Sequence, residues 1–459
     1  MSLEQTLFVN YAQLTDHGQQ AIRRDALAIM AHGLQAAIPY DKTREIVRYE
    51  DGAISVAGET FPLAPHSHVY VVGVGKGSYP IAKALDEILG DRIDEGFVVV
   101  KEGETRRLPH IELFESAHPI PDERSITGAR RIRDILQKAK AGDLVFAAIT
   151  GGSSAMVNLI PENISLADLQ RTNDLLLKCG ASIAQINSVR KHLCGMKGGR
   201  VVAMAQPAHI VTLTLDTAPA DMPWPEMCLA DPTTFSDAIS ACKSYEIWDK
   251  LPPSVREHLC WGVQHPEAET LKSLQGMHQS LYGVTDQRVA SQAMCDRAAE
   301  MGYTPHLLST VLEGEAKDAG IFFSALANEI IRTGRPFAAP CALISAGETT
   351  VTIGDTCGEG GPNQETTLGF VTKLHVDAPI CCISLDSDGT DGPCDHAGGI
   401  ADALSARRCR ECGIDVTHVL KTHDSLSALK ALGDAIYTGH TGTNVMNLRL
   451  VLIGNEEEA

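Results

Sequence analysis

The stretch HVYVVGVGKGSYPIAKALDEIL, His68 to Leu89, decides the fold class. A β-branched run breaks into glycine at Gly73, Gly75 and Gly77, and a helical pattern follows at once. A buried strand that passes through glycine into a helix is the opening of a βαβ unit. The same motion recurs downstream. GFVVVKEG (96–103) reads as another short buried strand, DLVFAAITGGSSA (143–155) as a strand ending in glycine, and HIVTLTLDTAPAD (209–221) as a strand ending in polar residues. Strands alternating with helices predict a parallel sheet covered on both faces. Upstream, residues 16–38 read as an amphipathic helix with Asp16 as N-cap, and EIVRYEDGAISVAG (45–58) as a hairpin turning at Asp51-Gly52.

From about 232 to 280, prolines, tryptophans and short helical pieces replace this rhythm. A second α/β unit then begins with a helix near 288–301, the strand YTPHLLST (303–310) and a helix over 315–334. The strands CALISAGETTVTI (341–353), APICCISLDSDGTDG (378–392) and NLRLVLIG (447–454) complete it. A chain of 459 residues exceeds what one hydrophobic core usually serves. The expected fold is therefore two-domain α/β. An N-terminal Rossmann-like parallel sheet with helices on both faces spans 1–240, a connecting helical region 241–285, and a smaller C-terminal α/β domain 286–459. FAAITGGSSA and CALISAGETT form a weak internal echo. In open α/β sheets ligands bind beyond the carboxyl ends of strands, which directs attention to loops 73–77, 150–154, 346–350 and 386–392.

Apolar residues make up 44% and charged residues 21%, as in a soluble globular protein, and the formal charge is −19. That sign argues against nucleic acid or an anionic membrane as a general partner, though not against a small anion bound in a local positive patch. The 13 cysteines are odd in number and follow no framework spacing, which predicts a reduced, cytoplasmic chain. Cys409 and Cys412 form one CxxC, read as two thiols on a helix, because zinc needs four ligands. No apolar run approaches the ~18 residues of a membrane span, and the first residues lack a signal peptide's basic and apolar regions. Glu456 to Glu458 read as a frayed tail.

Several strand ends carry residues suited to phosphate chemistry. VGVGKGSYP is neither GxGxxG, since Ser78 ends GKGS, nor a P-loop. Gly75 and Lys76 nevertheless stand at the mouth of a helix, where an ammonium would meet phosphate or carboxylate; a lysine merely lying along the loop is the alternative. Gly151, Gly152, Ser153 and Ser154 offer amides and hydroxyls to an anion, or simply form a tight turn. In SVRKHLCGMKGGR (188–200) the sign of charge reverses locally. Arg190 and Lys197, two turns apart on one helix face, would join Lys191 as a positive field, against the usual solvated face. DSDGTDGPCD (386–395) crowds Asp386, Asp388, Asp391 and Asp395, which suits Mg²⁺ with its oxygen ligands, or builds Asx-turns. Glu348 ends another strand, and Asn444 lies in TGHTGTNV (438–445). CGEGGPNQET (357–366) looks like an anion loop without a cation. With the aspartates, these loops are consistent with metal-assisted phosphoryl transfer.

GVGKG, ITGGSSA, NSVRKHLCGMKGGR, GETTVT, GGPNQE, SDGTDGP and TGTNV occur in the order seen in the glycerate 2-kinase family, whose C-terminal part is called the MOFRL domain. The resemblance covers about residues 20–453. It implies phosphorylation of D-glycerate to 2-phosphoglycerate with ATP and Mg²⁺, a small hydroxy acid and a nucleotide as partners, and an active site between the two domains. It leaves a homodimer open. By position in the motifs, Lys76, Glu348 and Asp391 are implied as catalytic, and Asp388 and Asp391 as metal ligands. Gly75, Gly151, Gly152, Ser153, Ser154, Arg190, Lys191, Lys197, Gly361, Asn363 and Asn444 are implied to bind substrate or nucleotide. Two departures stand out: the family usually reads GGRNQE where Pro362 stands here, and SDVPGD and ASGPT where this chain has LDTAPAD, with Asp221, and LADPT. These allow a kinase acting on a related sugar acid, a glycerate kinase with a shifted arginine, a binding protein that has lost kinase activity, or a hydroxypyruvate reductase, a label that family members have also carried.

Overall fold

A computed structural model describes residues 2–216, 224–353, 357–376 and 378–455. Most of LDTAPAD, with Asp221, and the tail from Glu456 lie outside them. The chain divides into two compact units, one of residues 39–284 and one of residues 1–38 with 285–459.

The 39–284 unit opens with a three-stranded antiparallel sheet, β1 (Val47–Glu50), β2 (Ala53–Val56) and β3 (Glu59–Pro62). The expected hairpin is β1 and β2, and Asp51 and Gly52 both take positive φ at its turn. A second sheet follows: β4 (Val69–Val74), β5 (Glu95–Lys101), β6 (Glu112–Ser116), β7 (Leu144–Ile149), β8 (His209–Asp216) and β9 (Gln279–Asp286). Their order is β6-β5-β4-β7-β8-β9, and the pairs from β6 through β8 are parallel. Alternation along each strand gives both faces a core. Val69 and Val71 pack with Ile81, Leu85, Phe146 and Val211 on one side. Val72 and Val74 pack with Phe97, Ile132, Val145 and Ile210 on the other. The sequence runs outward from β4 in both directions, so the switch point of the sheet lies between β4 and β7. The expected connector, 241–285, does not stand apart; all of it but Thr285 belongs to this unit, and β9 completes its sheet.

The other unit is built on β10 (Thr304–Ser309), β11 (Cys341–Gly347), β12 (Ile380–Asp386), β13 (Gly398–Asp402), β14 (Ala435–Ile436) and β15 (Asn447–Ile453), in the order β10-β11-β15-β12-β13-β14. Only β10 and β11 pair in parallel, so the sheet is mixed. Helices Gln20–Ala36 and Gln287–Glu300 cover one face through Leu27, Met30 and Met294, which pack on Ile344, Ile383 and Leu450. Helices Ala316–Thr333 and Pro362–Lys373 cover the other through Phe323, Ile330 and Phe370, on Leu343, Cys382 and Val451. The first 38 residues thus serve the C-terminal core and not the N-terminal one, contrary to the expected span of 1–240. Their anchor is Arg23, which is fully buried, pairs with Asp402 at 2.7 Å and with Asp434, and donates to Leu14 O at 2.9 Å. Asp16 does not cap the helix. It closes the short helix Tyr11–Thr15, and Gln19 is the N-cap of Gln20–Ala36. Cys409 is buried on helix Ser405–Glu411 and Cys412 follows at its end.

Candidate functional site

At the switch point of the parallel sheet two loops interlock. Lys76 N donates to Gly151 O at 2.8 Å and Gly77 N to Thr150 Oγ1 at 3.0 Å. Gly75 has φ +132°, and a Cβ there would lie 2.2 Å from Thr150 Oγ1, so only glycine allows the contact. Gly152 has φ +87°, and its α-carbon faces the Lys76 side chain. Gly75, Lys76, Gly151 and Gly152 therefore form one surface, with Lys76 half-buried at the mouth of helix Ser78–Leu89.

The basic run behaves differently from its sequence reading. Its helix spans Ile183–His192 and ends there; Gly198 and Gly199 take positive φ, and Arg200 starts a new helix. Arg190 and Lys197 thus share no helix face. Lys197 is 1% exposed, donates to Ser154 Oγ at 2.7 Å and pairs with Glu226 at 2.9 Å. Ser154 Oγ in turn donates to Glu226. Burial works to raise the Glu226 pKa, but Lys197 and Ser154 hold it below the usual carboxylate value. Lys191 pairs with Asp231 at 2.7 Å, and Asp231 also accepts from Thr233 N at 3.0 Å and Thr270 Oγ1 at 2.9 Å. Two of the cations read as a ligand field are neutralised inside the protein. Arg190 keeps partial exposure and donates to Asn173 Oδ1 at 3.1 Å. Glu226 and Asp231 were missed as partners because they lie 29 and 40 residues downstream. The signal was available in the LADPT segment itself.

In the mixed-sheet unit the anion loop is already filled, by the chain's own carboxylate. Helix Pro362–Lys373 begins with proline at its first position, where no amide is needed. Asp391, 0% exposed, caps it from the aspartate loop: Oδ1 accepts from Asn363 N and Nδ2, both at 3.0 Å, and Oδ2 from Gln364 N at 2.8 Å. Burial raises the Asp391 pKa to about 7, the three donors lower it, and the charge of Glu348 raises it further. A Cβ on Gly361 would lie 2.4 Å from Asp391 Cγ, and one on Gly360 2.1 Å from Ser425 Oγ. These glycines serve close packing within the chain. Asn363, also fully buried, donates to Asn447 Oδ1 at 2.9 Å and accepts from Ser384 Oγ at 2.6 Å. Asp391, Asn363 and Gly361 are thus tied together at the start of this helix.

Glu348 is exposed on the turn after β11. Beneath it lies Arg449, 1% exposed on β15, which donates to Thr349 Oγ1 at 2.7 Å and Gly347 O at 3.3 Å. Burial lowers its pKa to about 10, opposed by Glu348 and Asp391. The sequence reading passed over Arg449, although a lone charge inside NLRLVLIG was the signal. Asp388 is buried and accepts from Thr390 N at 2.8 Å and Thr390 Oγ1 at 2.7 Å. Among the described residues no three His, Cys, Asp or Glu side chains gather to hold a metal. Asp391 accepts two hydrogen bonds on Oδ1 and one on Oδ2 from the start of the helix. Asn444 is buried just ahead of Val445, whose amide donates to Ser387 Oγ at 2.7 Å, and so belongs to the same loop cluster as Asp388.

Residues 25–260 match the model of a domain of unknown function, DUF4147, and residues 341–447 that of the MOFRL family. The chain is 41% identical to a glycerate 2-kinase of Pyrococcus horikoshii over 94% of its own length and 97% of that protein. The chain belongs to the glycerate 2-kinase family. It is also 35% identical to the D-glycerate 2-kinase of Thermotoga maritima, over 95% of this chain and 99% of that one. A crystal structure of a glycerate kinase from Thermotoga maritima superposes with a TM-score of 0.77 at 32% identity, covering 94% of this chain and 99% of the other. The two family models fall on different units, DUF4147 chiefly on the parallel-sheet unit that carries Lys76 and MOFRL on the mixed-sheet unit that carries Glu348. The position at which the family motif was expected to carry arginine is the helix-starting Pro362 here, half-buried next to the Asp391 cap.

Proposed function

We propose that this chain transfers the γ-phosphoryl group of ATP to the 2-hydroxyl of D-glycerate, yielding 2-phosphoglycerate and ADP. The observation that carries the reading is Lys76 on interlocked glycine loops at the sheet's switch point, in a chain 41% identical over nearly its whole length to a glycerate 2-kinase. Phosphoryl transfer needs positioning and positive charge more than covalent chemistry. Lys76 supplies that charge, and the amides of Gly151 and Gly152 approach the phosphate oxygens. Arg190 is assigned to the substrate carboxylate. As the acceptor oxygen bonds to phosphorus and the bond to ADP breaks, the hydroxyl proton leaves to a carboxylate base. Mg²⁺, when bound with the nucleotide, would supply counter-charge to the phosphates, and Asp388 is the buried carboxylate of the aspartate loop that would hold it. Lys191 and Lys197 act indirectly, by fixing Asp231, Glu226 and Ser154. Among the described residues no helix is long and apolar enough to cross a membrane, and the reading places the enzyme in the cytoplasm with its nucleotide supply.

The test is a coupled ADP-release assay with Mg-ATP across D-glycerate and four-carbon sugar acids. Turnover fastest with D-glycerate is expected. A folded protein that releases no ADP with any of them, or that instead consumes NAD(P)H with hydroxypyruvate, would overturn the proposal.

A further inference from the structure

We propose that His118 is a ligand-contacting residue of the same site, facing Lys76 across Gly152 and bonding to the oxyanion held there. The kinase assignment had no place for this histidine. A methyl group built on Gly152 would lie 3.0 Å from Lys76 Cγ, 3.2 Å from His118 Cδ2 and 3.3 Å from His118 Nε2. The bare α-carbon of Gly152 therefore lies against both the Lys76 side chain and the His118 ring, and brings the two side chains together at the strand ends. The next residue, Ser153, is fully buried, and its hydroxyl has no hydrogen-bond partner among the described residues. A buried hydroxyl left unpaired is costly, and it sits in the loop where an incoming oxyanion would supply an acceptor.

The chain places His118 here deliberately. β6 is the outermost parallel strand, two positions from β4. Its last residue, Ser116, accepts from Glu102 N at 3.1 Å, and Ser125 O accepts from Asn158 N at 3.0 Å. These two bonds fix both ends of the segment 116–125 on the strand-end side of the sheet, with His118 half-buried between them. Lys76, Gly152 and His118 come from the ends of three different strands, as expected of a site at a switch point. The ligand class is an oxyanion, either a nucleotide phosphate or the carboxylate of the acceptor acid.

The inference rests on the kinase reading for its ligands but is tested separately from it. The variants His118→Ala and His118→Gln are compared with the wild-type protein for kcat and for KM of ATP and D-glycerate. Protection from thermal unfolding by ADP, inorganic phosphate and D-glycerate is measured on all three. A hydrogen bond to a charged group is worth about 1.5–3 kcal/mol, so kcat/KM should fall about 10- to 100-fold in His118→Ala. Glutamine, which keeps a donor near Nε2, should recover part of the loss. A rise confined to the D-glycerate KM assigns the carboxylate; lost protection by ADP and phosphate assigns the nucleotide. If the wild type fails to turn over D-glycerate but phosphate protects it and not His118→Ala, the kinase reading falls and this one stands. Wild-type kcat/KM and undiminished protection in both variants would overturn it, as would a loss of stability in both with ligand protection unchanged, or a wild type that none of the three ligands protects.

Discussion

Replacing Asp391 by alanine separates a framework role from a catalytic one. The carboxylate accepts from Asn363 N, Asn363 Nδ2 and Gln364 N in a fully buried position. Alanine leaves three donors there without an acceptor, and two of them are the first amides of a helix that covers one face of the mixed sheet. At about 1–1.5 kcal/mol per stranded donor, near the low end for buried groups, the loss is about 3–5 kcal/mol. For a unit of this size 1 kcal/mol moves the midpoint about 2–4 °C, so Asp391→Ala should unfold about 10 °C lower. The assay is thermal unfolding by circular dichroism, with Asp388→Ala as the comparison, which should fall far less. An Asp391→Ala protein that melts within a degree of wild type but has lost ADP release would refute the framework argument and restore Asp391 to the chemistry.

Asp391 also gives a signed pH effect. Its folded pKa, about 7, lies above the unfolded carboxylate value. Its stability contribution is complete below about pH 4 and declines as pH rises through 7, by about 4 kcal/mol at most; subtracting the urea-unfolding stability of Asp391→Asn should expose that decline. Arg23→Ala takes the guanidinium away from buried Asp402, while Asp434 keeps Arg408 and His17, and should cost about 3 kcal/mol in urea unfolding. Lys197→Met and Glu226→Gln should each destabilise, and the double variant should cost less than their sum, which a double-mutant cycle on thermal melts will show. Lys76→Ala should lower the kinase rate at least about 10³-fold in protein that remains folded, measured by coupled ADP release; a retained rate would move the site elsewhere.

Local pattern was enough for the parallel-sheet unit. Val69–Val74, the glycines and Ser78–Leu89 are contiguous, and strand, turn and helix announce themselves by period. Lys76 could be singled out because it stands at the junction of a contiguous strand, glycine turn and helix, although the Gly151–Gly152 loop beside it comes from far along the chain. The helix carrying Arg23 gave no such clue, since Arg23 and Asp434 are 411 residues apart and nothing local says which core an amphipathic face will join. The same holds for the aspartate loop, where Asp391 and Asp388 look alike in sequence. Their difference arises from Asn363 and Gln364, 28 and 27 residues away, which only folding brings to one of them. The reversal of charge at 190–200 was real, but sequence does not show that Asp231 and Glu226 fold back to meet it.

The Asp391 cap also bears on how this loop can vary. Gly361 has no room for a side chain against Asp391 and the Asn363 side chain donates to the same carboxylate, so these three positions constrain one another, while Gln364 contributes its backbone amide. Pro362 sits among them yet donates no amide and is half-buried, the one place in the run where a new side chain can be tried without reopening the helix start. A Pro362→Arg exchange would therefore add a cation beside the Asp391 cap while leaving the capping bonds in place.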